Sequence, residues 1–347
     1  ILGIFLRFQG LTIPDLTTDE AQYILPATAA HPPFGIALYQ GAMALFGREL
    51  LIFRLVAAMT GIATLVLVFL LVQELQRSDR MGVARYAPTK NVWHLPLLAT
   101  ALAALFPPHI LFSRLGYLDI IQCAAWTALL FCFLKAHQCE YEIREQPHSL
   151  LGKVLSRLHR KIAEEHRTML WLTLTFLVST AATFVKGQGL LFSLFLLIGL
   201  IIERRQGVLQ SPLAWTLLLS LIPIGFYFLA HPEILATVLL YTGGAQGGMF
   251  GASNPLARIA ELASTWWHMF PLALVLMMLS LFSKETRKLP WPLYLLSAIF
   301  VVIPFFLGPD HPYYTVYFVI PSSLLIAQAL ARQKSVFQYG VLLASLI

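Results

Sequence analysis

The chain has 347 residues, of which 58% are hydrophobic and only 12% charged, with a mean hydropathy of +0.73; soluble domains carry about 25% charged residues. That composition excludes a water-soluble globule, a disordered chain and a disulfide scaffold. The net charge of +7 does not point to nucleic acid, because the charges sit in short loops between apolar runs, the pattern of a polytopic membrane protein.

In chain order, Ile1–Leu6 precedes Arg7 and reads as the tail of one membrane helix. Uncharged stretches follow at 55–73, 91–113, 120–134, 168–185, 187–202, 206–232, 262–283, 289–309 and 311–331. Each is near or above the roughly 20 residues a helix needs to cross a bilayer. Ser335–Ile347 reads as the start of one more. Backbone groups in lipid must be bonded within their own segment, and none of these stretches alternates like a barrel strand, so helices are expected. The predicted fold is an all-α polytopic bundle, one domain over 1-347, with nine complete transmembrane helices plus two truncated ones. Cys123, Cys132 and Cys139 have no metal-ligand spacing and read as small core residues.

The cations set an orientation. Eighteen of the 24 Lys and Arg residues fall in the segments 77–90, 135–167, 204–205, 284–288 and 332–334. The other side holds Arg7, Arg48, Arg54, Arg114, Lys186 and Arg258. The positive-inside rule places the larger set in the cytoplasm. This gives a first outer loop at 7-50, a cytoplasmic loop at 136-167 and an outer Gly-rich loop at 231-265. Within the cytoplasmic loop, 150–162 alternates apolar and basic faces and reads as an interfacial helix or an amphipathic linker.

The outer loops hold the unusual residues. The first carries TTDEAQYI (17–24), with adjacent carboxylates Asp19 and Glu20, then HPPF from His31 and the apolar stretch Gly35–Phe46. That stretch is too short to span, so interfacial helices are expected in this loop. Thr17 or Thr18 could also cap a helix there, with the acids complementing its dipole. Arg54 opens the second span, Arg114 and Asp119 lie in FSRLGYLD (112–119), and Lys186 interrupts two apolar runs in FVKG (184–187). Charges at membrane depth are costly and often mark sites, although long cations also snorkel and Arg114 with Asp119 could be a structural pair. An ammonium at Lys186 needs an anion: Asp119 or a bound phosphate. The last outer loop brings His311, Tyr313 and Tyr314 together. His31, His231, His268 and His311 with Asp19 and Glu20 could bind a divalent metal, but no ligand spacing supports one.

Taken in order, the DE pair, the PP segment, FGRELLIFRL (46–55), FSRLGYLD, FVKG and HPYY (311–314) resemble the membrane glycosyltransferases of the GT-C fold. The dolichyl-phosphate-mannose protein mannosyltransferase and aminoarabinose transferase group is the most similar. The resemblance implies transfer of a sugar from a polyprenyl-phosphate donor to a lipid, glycan or protein acceptor, at an extracytoplasmic site of a bacterial inner-membrane protein. It puts the catalytic acid on Asp19, with Glu20 beside it, and the basic helix-end residues on Arg54, Arg114 and Lys186. The usual lysine before PP is His31 here, the late lysine-tyrosine pattern is Asp310-His311-Pro312-Tyr313-Tyr314, and the WWDYG motif of oligosaccharyltransferases is absent. The chemistry suits these residues. A phosphate leaving group needs cations rather than the second carboxylate of glycosidases, and the acceptor hydroxyl needs a carboxylate base. Direct displacement inverts the anomeric centre, and the donor carries its own energy, so no cofactor is implied. A transporter or lipid-carrier flippase is the alternative; a transporter would place charges near midplane between repeated halves.

Overall fold

The computed structural model describes residues 1–12, 17, 20–21, 24, 32–80, 94–144, 154–186, 188–204, 207–234, 255–269, 275 and 312–330. Among the described residues the structure is helical and has no strand. The helices are α1 (Leu2–Phe8), α2 (Pro33–Phe46), α3 (Leu50–Arg80), α4 (His94–Leu105), α5 (Pro107–Ser113), α6 (Leu118–Arg144), α7 (Val154–Val185), α8 (Gln188–Arg204), α9 (Pro212–Ser220), α10 (Ile222–Ala230), α11 (Pro255–Met269) and α12 (Val319–Leu330). A 3₁₀ segment, Pro312–Phe318, leads into α12.

Among the described residues, four segments are long and apolar enough to cross a membrane: Leu50–Gln76, Leu118–Tyr141, Glu164–Val185 and Pro212–Ala230. They correspond to the expected stretches at 55–73, 120–134, 168–185 and 206–232. The stretch 187–202 is α8, with 17 residues, near the lower limit for a span. The expected stretch 91–113 is not one straight helix. It bends by 62° between α4 and α5, because Pro107 and Pro108 have no amide to continue the ladder and instead open a new helix. The segment 206–232 is likewise divided: Ser211 caps α9, accepting from the Ala214 amide at 3.3 Å, and Pro223 stands in the first turn of α10. The amphipathic stretch 150–162 does not form a separate interfacial helix where it is described; from Val154 it runs unbroken into the span that ends at Val185. The expected span at 289–309 and the terminal stretch Ser335–Ile347 lie outside the described residues.

Helix α6 is the centre of the bundle, packed along α3 on one side and α7 on the other. Trp126 on α6 is fully buried, stacked on Tyr317 at 4.6 Å and tilted against Phe192 at 5.3 Å. Three buried hydroxyls tie α7, α8 and α9 together: Ser179 bonds Ser193 at 2.7 Å and Ser220 at 2.6 Å. Helices with no hydrophobic drive to associate in lipid use small polar residues in this way. Gly189 sits so close to α7 that a Cβ there would fall 2.2 Å from the Ala182 carbonyl oxygen.

Candidate functional site

Among the described residues, Glu20, Arg54, Arg114, Asp119 and Lys186 converge on one short segment, Arg114–Asp119, which joins α5 to the first turn of α6. Its first anchor is Glu20. Glu20 and Thr17 form a reciprocal capping box: the Glu20 amide donates to the Thr17 hydroxyl at 3.2 Å, and the Thr17 amide donates to Glu20 Oε2 at 2.9 Å. The same carboxylate receives a two-pronged contact from Arg54, Nε to Oε1 at 2.7 Å and Nη2 to Oε2 at 2.8 Å. The Gly116 amide donates to Oε1 at 2.9 Å. Both side chains of the pair are fully buried. Burial alone pushes the Glu20 carboxyl upward; the hydrogen bonds from Arg54, Thr17 and Gly116, with the Arg54 charge, outweigh it and hold the group below the ordinary carboxylate range. Arg54 Nη1 also donates to the Leu11 carbonyl at 2.9 Å, fixing the chain that leaves α1.

The second anchor is Asp119, in the first turn of α6. Lys186 Nζ donates to Oδ1 at 2.8 Å and Oδ2 at 2.9 Å, and the Tyr317 hydroxyl donates to Oδ1 at 2.6 Å. The anion that meets Lys186 in this structure is therefore Asp119, and Arg114 is not its partner. Arg114 caps the end of α5, is half-buried, and has a buried Nε with no hydrogen-bond partner. Among the described residues Arg114 is the one predicted cation of the three without a paired carboxylate.

Tyr39 on α2 joins the two anchors. Its hydroxyl donates to the Tyr117 carbonyl at 3.0 Å and its ring stacks on Phe53 at 4.0 Å. Burial first, then the Glu20 and Asp119 charges, raise its phenol well above the ordinary range, which places it within electrostatic reach of both carboxylates. Gly116 has no room for a side chain: a Cβ there would overlap Phe53, 1.6 Å from Cε1.

Of the two threonines offered as a cap, Thr17 is the one that caps Glu20; sequence reasoning missed Tyr39, Tyr317 and Gly116 as members of this cluster. Tyr39 and Tyr317 are phenols inside apolar runs, a signal that shows polarity without showing a partner. Gly116 lies between two residues that were chosen. Of the remaining candidates, Asp19, His31 and His311 lie outside the described residues, and for Tyr313 and Tyr314 only the 3₁₀ backbone is described. No group of three or more potential metal ligands occurs among the described residues.

Comparison with known proteins bears on the fold that carries this carboxylate-and-cation network. The sequence matches no protein-family model and no curated protein. Solved structures do match. ArnT of Cupriavidus metallidurans bound to undecaprenyl phosphate superposes with a TM-score of 0.58 at 16% identity, over 99% of this chain and 61% of that one. Its apo state gives 0.59 at 15%, over 99% and 60%. The oligosaccharyltransferase of Archaeoglobus fulgidus, tethered to an acceptor peptide, gives 0.52 at 13%, over 100% and 49%. These are GT-C glycosyltransferases, and the chain has the GT-C fold. It spans about three-fifths of the length of ArnT and half that of the oligosaccharyltransferase.

Proposed function

We propose that the protein is a glycosyltransferase that moves a hexosyl or pentosyl group from a polyprenyl-phosphate donor to a lipid, glycan or protein acceptor, with inversion, in a bacterial inner membrane. The reading includes nine complete spans and an extracytoplasmic site at the end of the bundle that carries Glu20 and Asp119. The observation that carries it is the dry network around Arg114–Asp119 in a fold shared with an ArnT that holds undecaprenyl phosphate.

The residues divide the work. Glu20 accepts from Arg54, Gly116 and Thr17 and has no lone pair to spare for an acceptor proton, so it is the positioning carboxylate. Asp19, the preceding residue, is the base. Arg114, whose Nε is buried and unbonded, is the first choice for the donor phosphate, since a guanidinium grips phosphate oxygens bidentately. Lys186 and Arg54 support it through their charge. A phosphate departing beside these cations needs no general acid.

Purified full chain is tested for retention of undecaprenyl phosphate by native mass spectrometry, and cells with and without the gene are compared by mass spectrometry of extracted glycolipids and glycans. Loss of one glycoform without the gene is expected. Asp19→Asn retains the lipid phosphate while transfer falls by about 100-fold or more; Arg114→Ala loses the lipid phosphate. Normal transfer by Asp19→Asn removes Asp19 from the role. Impermeant labelling of a cysteine introduced at 28 or 247, but not at 82 or 148, checks the orientation.

A further inference from the structure

Arg7 on α1 is fully buried, and no carboxylate meets it among the described residues. Its Nη1 donates to the Gly3 carbonyl at 2.7 Å and to the Ala104 carbonyl at 3.2 Å. Its Nη2 lies 2.6 Å from His109 Nδ1. A guanidinium has no acceptor, so Arg7 is the donor in that contact and His109 Nδ1 carries no proton. A cation held in an apolar bundle by carbonyls and a neutral ring needs a reason, because its desolvation is expensive.

The reason lies at the bend between α4 and α5. In a continuous helix the Ala104 carbonyl would take the amide of residue 108, and the Ala103 carbonyl that of residue 107. Both residues are proline and have no N–H. The Phe106 amide reaches the Ala103 carbonyl at 3.4 Å. The Ala104 carbonyl receives Arg7. The neighbourhood is cut to fit that guanidinium. A Cβ on Gly3 would lie 2.9 Å from Ala104 Cβ and 3.4 Å from Arg7 Nη1. One on Gly61 would lie 2.6 Å from Ser113 Cβ and 3.3 Å from Arg7 Nε. His109, the second partner, is on the far side of the break, so Arg7 grips both helices that meet there.

We propose that Arg7 is a positioning residue that supplies the hydrogen-bond donor Pro108 lacks, and thereby fixes the α4–α5 bend that delivers Arg114–Asp119 to Glu20, Tyr39, Lys186 and Tyr317. Its effect on transfer rests on the proposed glycosyltransferase reading; its effect on the bend does not.

The test uses the full chain in lipid nanodiscs, with the three buried native cysteines replaced by alanine. Spin labels on Leu97→Cys (α4) and Leu111→Cys (α5), both exposed positions, report the bend. Arg7→Met shifts or broadens the interspin distance distribution, and Arg7→Lys does so less. Adding Pro108→Ala gives the Ala104 carbonyl an amide that only a continuous helix can deliver, so it moves the labels further toward the straight-helix separation than either substitution alone. Equal distributions in wild type and Arg7→Met, or a change that Pro108→Ala does not enlarge, overturn the proposal. If Arg7→Met is not recovered folded, the Arg7→Lys pair with and without Pro108→Ala makes the same comparison. Transfer activity falls in Arg7→Met by on the order of 100-fold, the scale of a misplacement of about 1 Å, and does not recover with Pro108→Ala. Absence of transfer in wild type counts against the glycosyltransferase reading and leaves the distance result standing.

Discussion

The two ends of the bundle solve the problem of charge in different ways. At one end, Glu20–Arg54 and Asp119–Lys186 are sealed: side-chain exposure is 0% for both members of the first pair, and 0% for Asp119 and 5% for Lys186 in the second. At the other, about twenty residues along the same helices, the pairs are wetter. Lys135 reaches Glu74 at 2.8 Å and lies over Trp171. His137 meets Glu203 at 3.0 Å, with Glu203 35% exposed. Glu140 forms an ion pair with Arg204 and accepts from the Ser211 hydroxyl and the Leu213 amide, closing the start of α9. Pairs at the second end join helix to helix. Those at the first end hold the turn at Gly116 and Tyr117, reached from residues 20 and 39, and the first turn of α6 at Asp119, reached from residues 186 and 317. Dry pairs are poor value for stability compared with apolar packing. Their concentration where the backbone is irregular fits a site kept in one geometry, and the wetter end fits a scaffold.

The sharpest way to break this comparison is to remove one partner of a sealed pair. Glu20→Gln leaves the Arg54 charge buried without its counter-ion and destabilises by about 3–5 kcal/mol, read from denaturant unfolding in nanodiscs. Replacing Arg54 and Glu20 together with apolar residues recovers much of that loss. The pH dependence follows in sign. Because the folded carboxyl of Glu20 titrates below its unfolded value, the pair's stabilisation is complete above the unfolded pKa of about 4.3 and is lost as pH falls through the lower folded value. The melting temperature of wild type therefore drops with acid more steeply than that of Glu20→Gln.

Next in size is Gly116→Ala, which forces a methyl group into the Phe53 ring and costs about 3 kcal/mol, the upper range for overpacking. Combined with Phe53→Leu, the pair should cost less than the two single changes summed, which a double-mutant cycle measures. Tyr317→Phe removes a hydrogen bond to a charged acceptor, about 2 kcal/mol, and leaves Lys186 on Asp119. At the other end, Glu203→Gln should cost less than about 1 kcal/mol, as exposed pairs do. A cost at Glu203 equal to that at Glu20 would erase the distinction between the two ends.

Part of this was legible in the sequence. Apolar runs located the helices at 55–73, 120–134, 168–185 and 206–232, and Glu20, Arg54, Arg114, Asp119 and Lys186 were chosen because charge at membrane depth is expensive. Partnership was not legible. Lys186 had two candidate anions, and only the packing of α6 beside α7 brings Asp119 to it. Arg54 was read as a phosphate ligand or a snorkelling residue, while its fork fits Glu20, 34 positions earlier. Tyr39 and Tyr317 were hidden because a phenol in an apolar run packs like its neighbours until the fold supplies an acceptor. The 62° bend was missed because 91–113 was read by hydropathy alone, and hydropathy does not register that Pro107 and Pro108 withhold two amides.

The long reach of the Arg114–Asp119 segment also sets a timetable for synthesis. Asp119 leaves the ribosome 67 residues before Lys186 and 198 before Tyr317. At roughly 5–20 residues per second, the carboxylate waits about 3–13 s for the ammonium and about 10–40 s for the phenol. Throughout that interval a charge destined for a dry interior has to be sheltered by water or by the insertion machinery. A chain arrested after α6 would hold an unneutralised acid at the mouth of its central helix, and one arrested after α7 would have recovered only the ammonium.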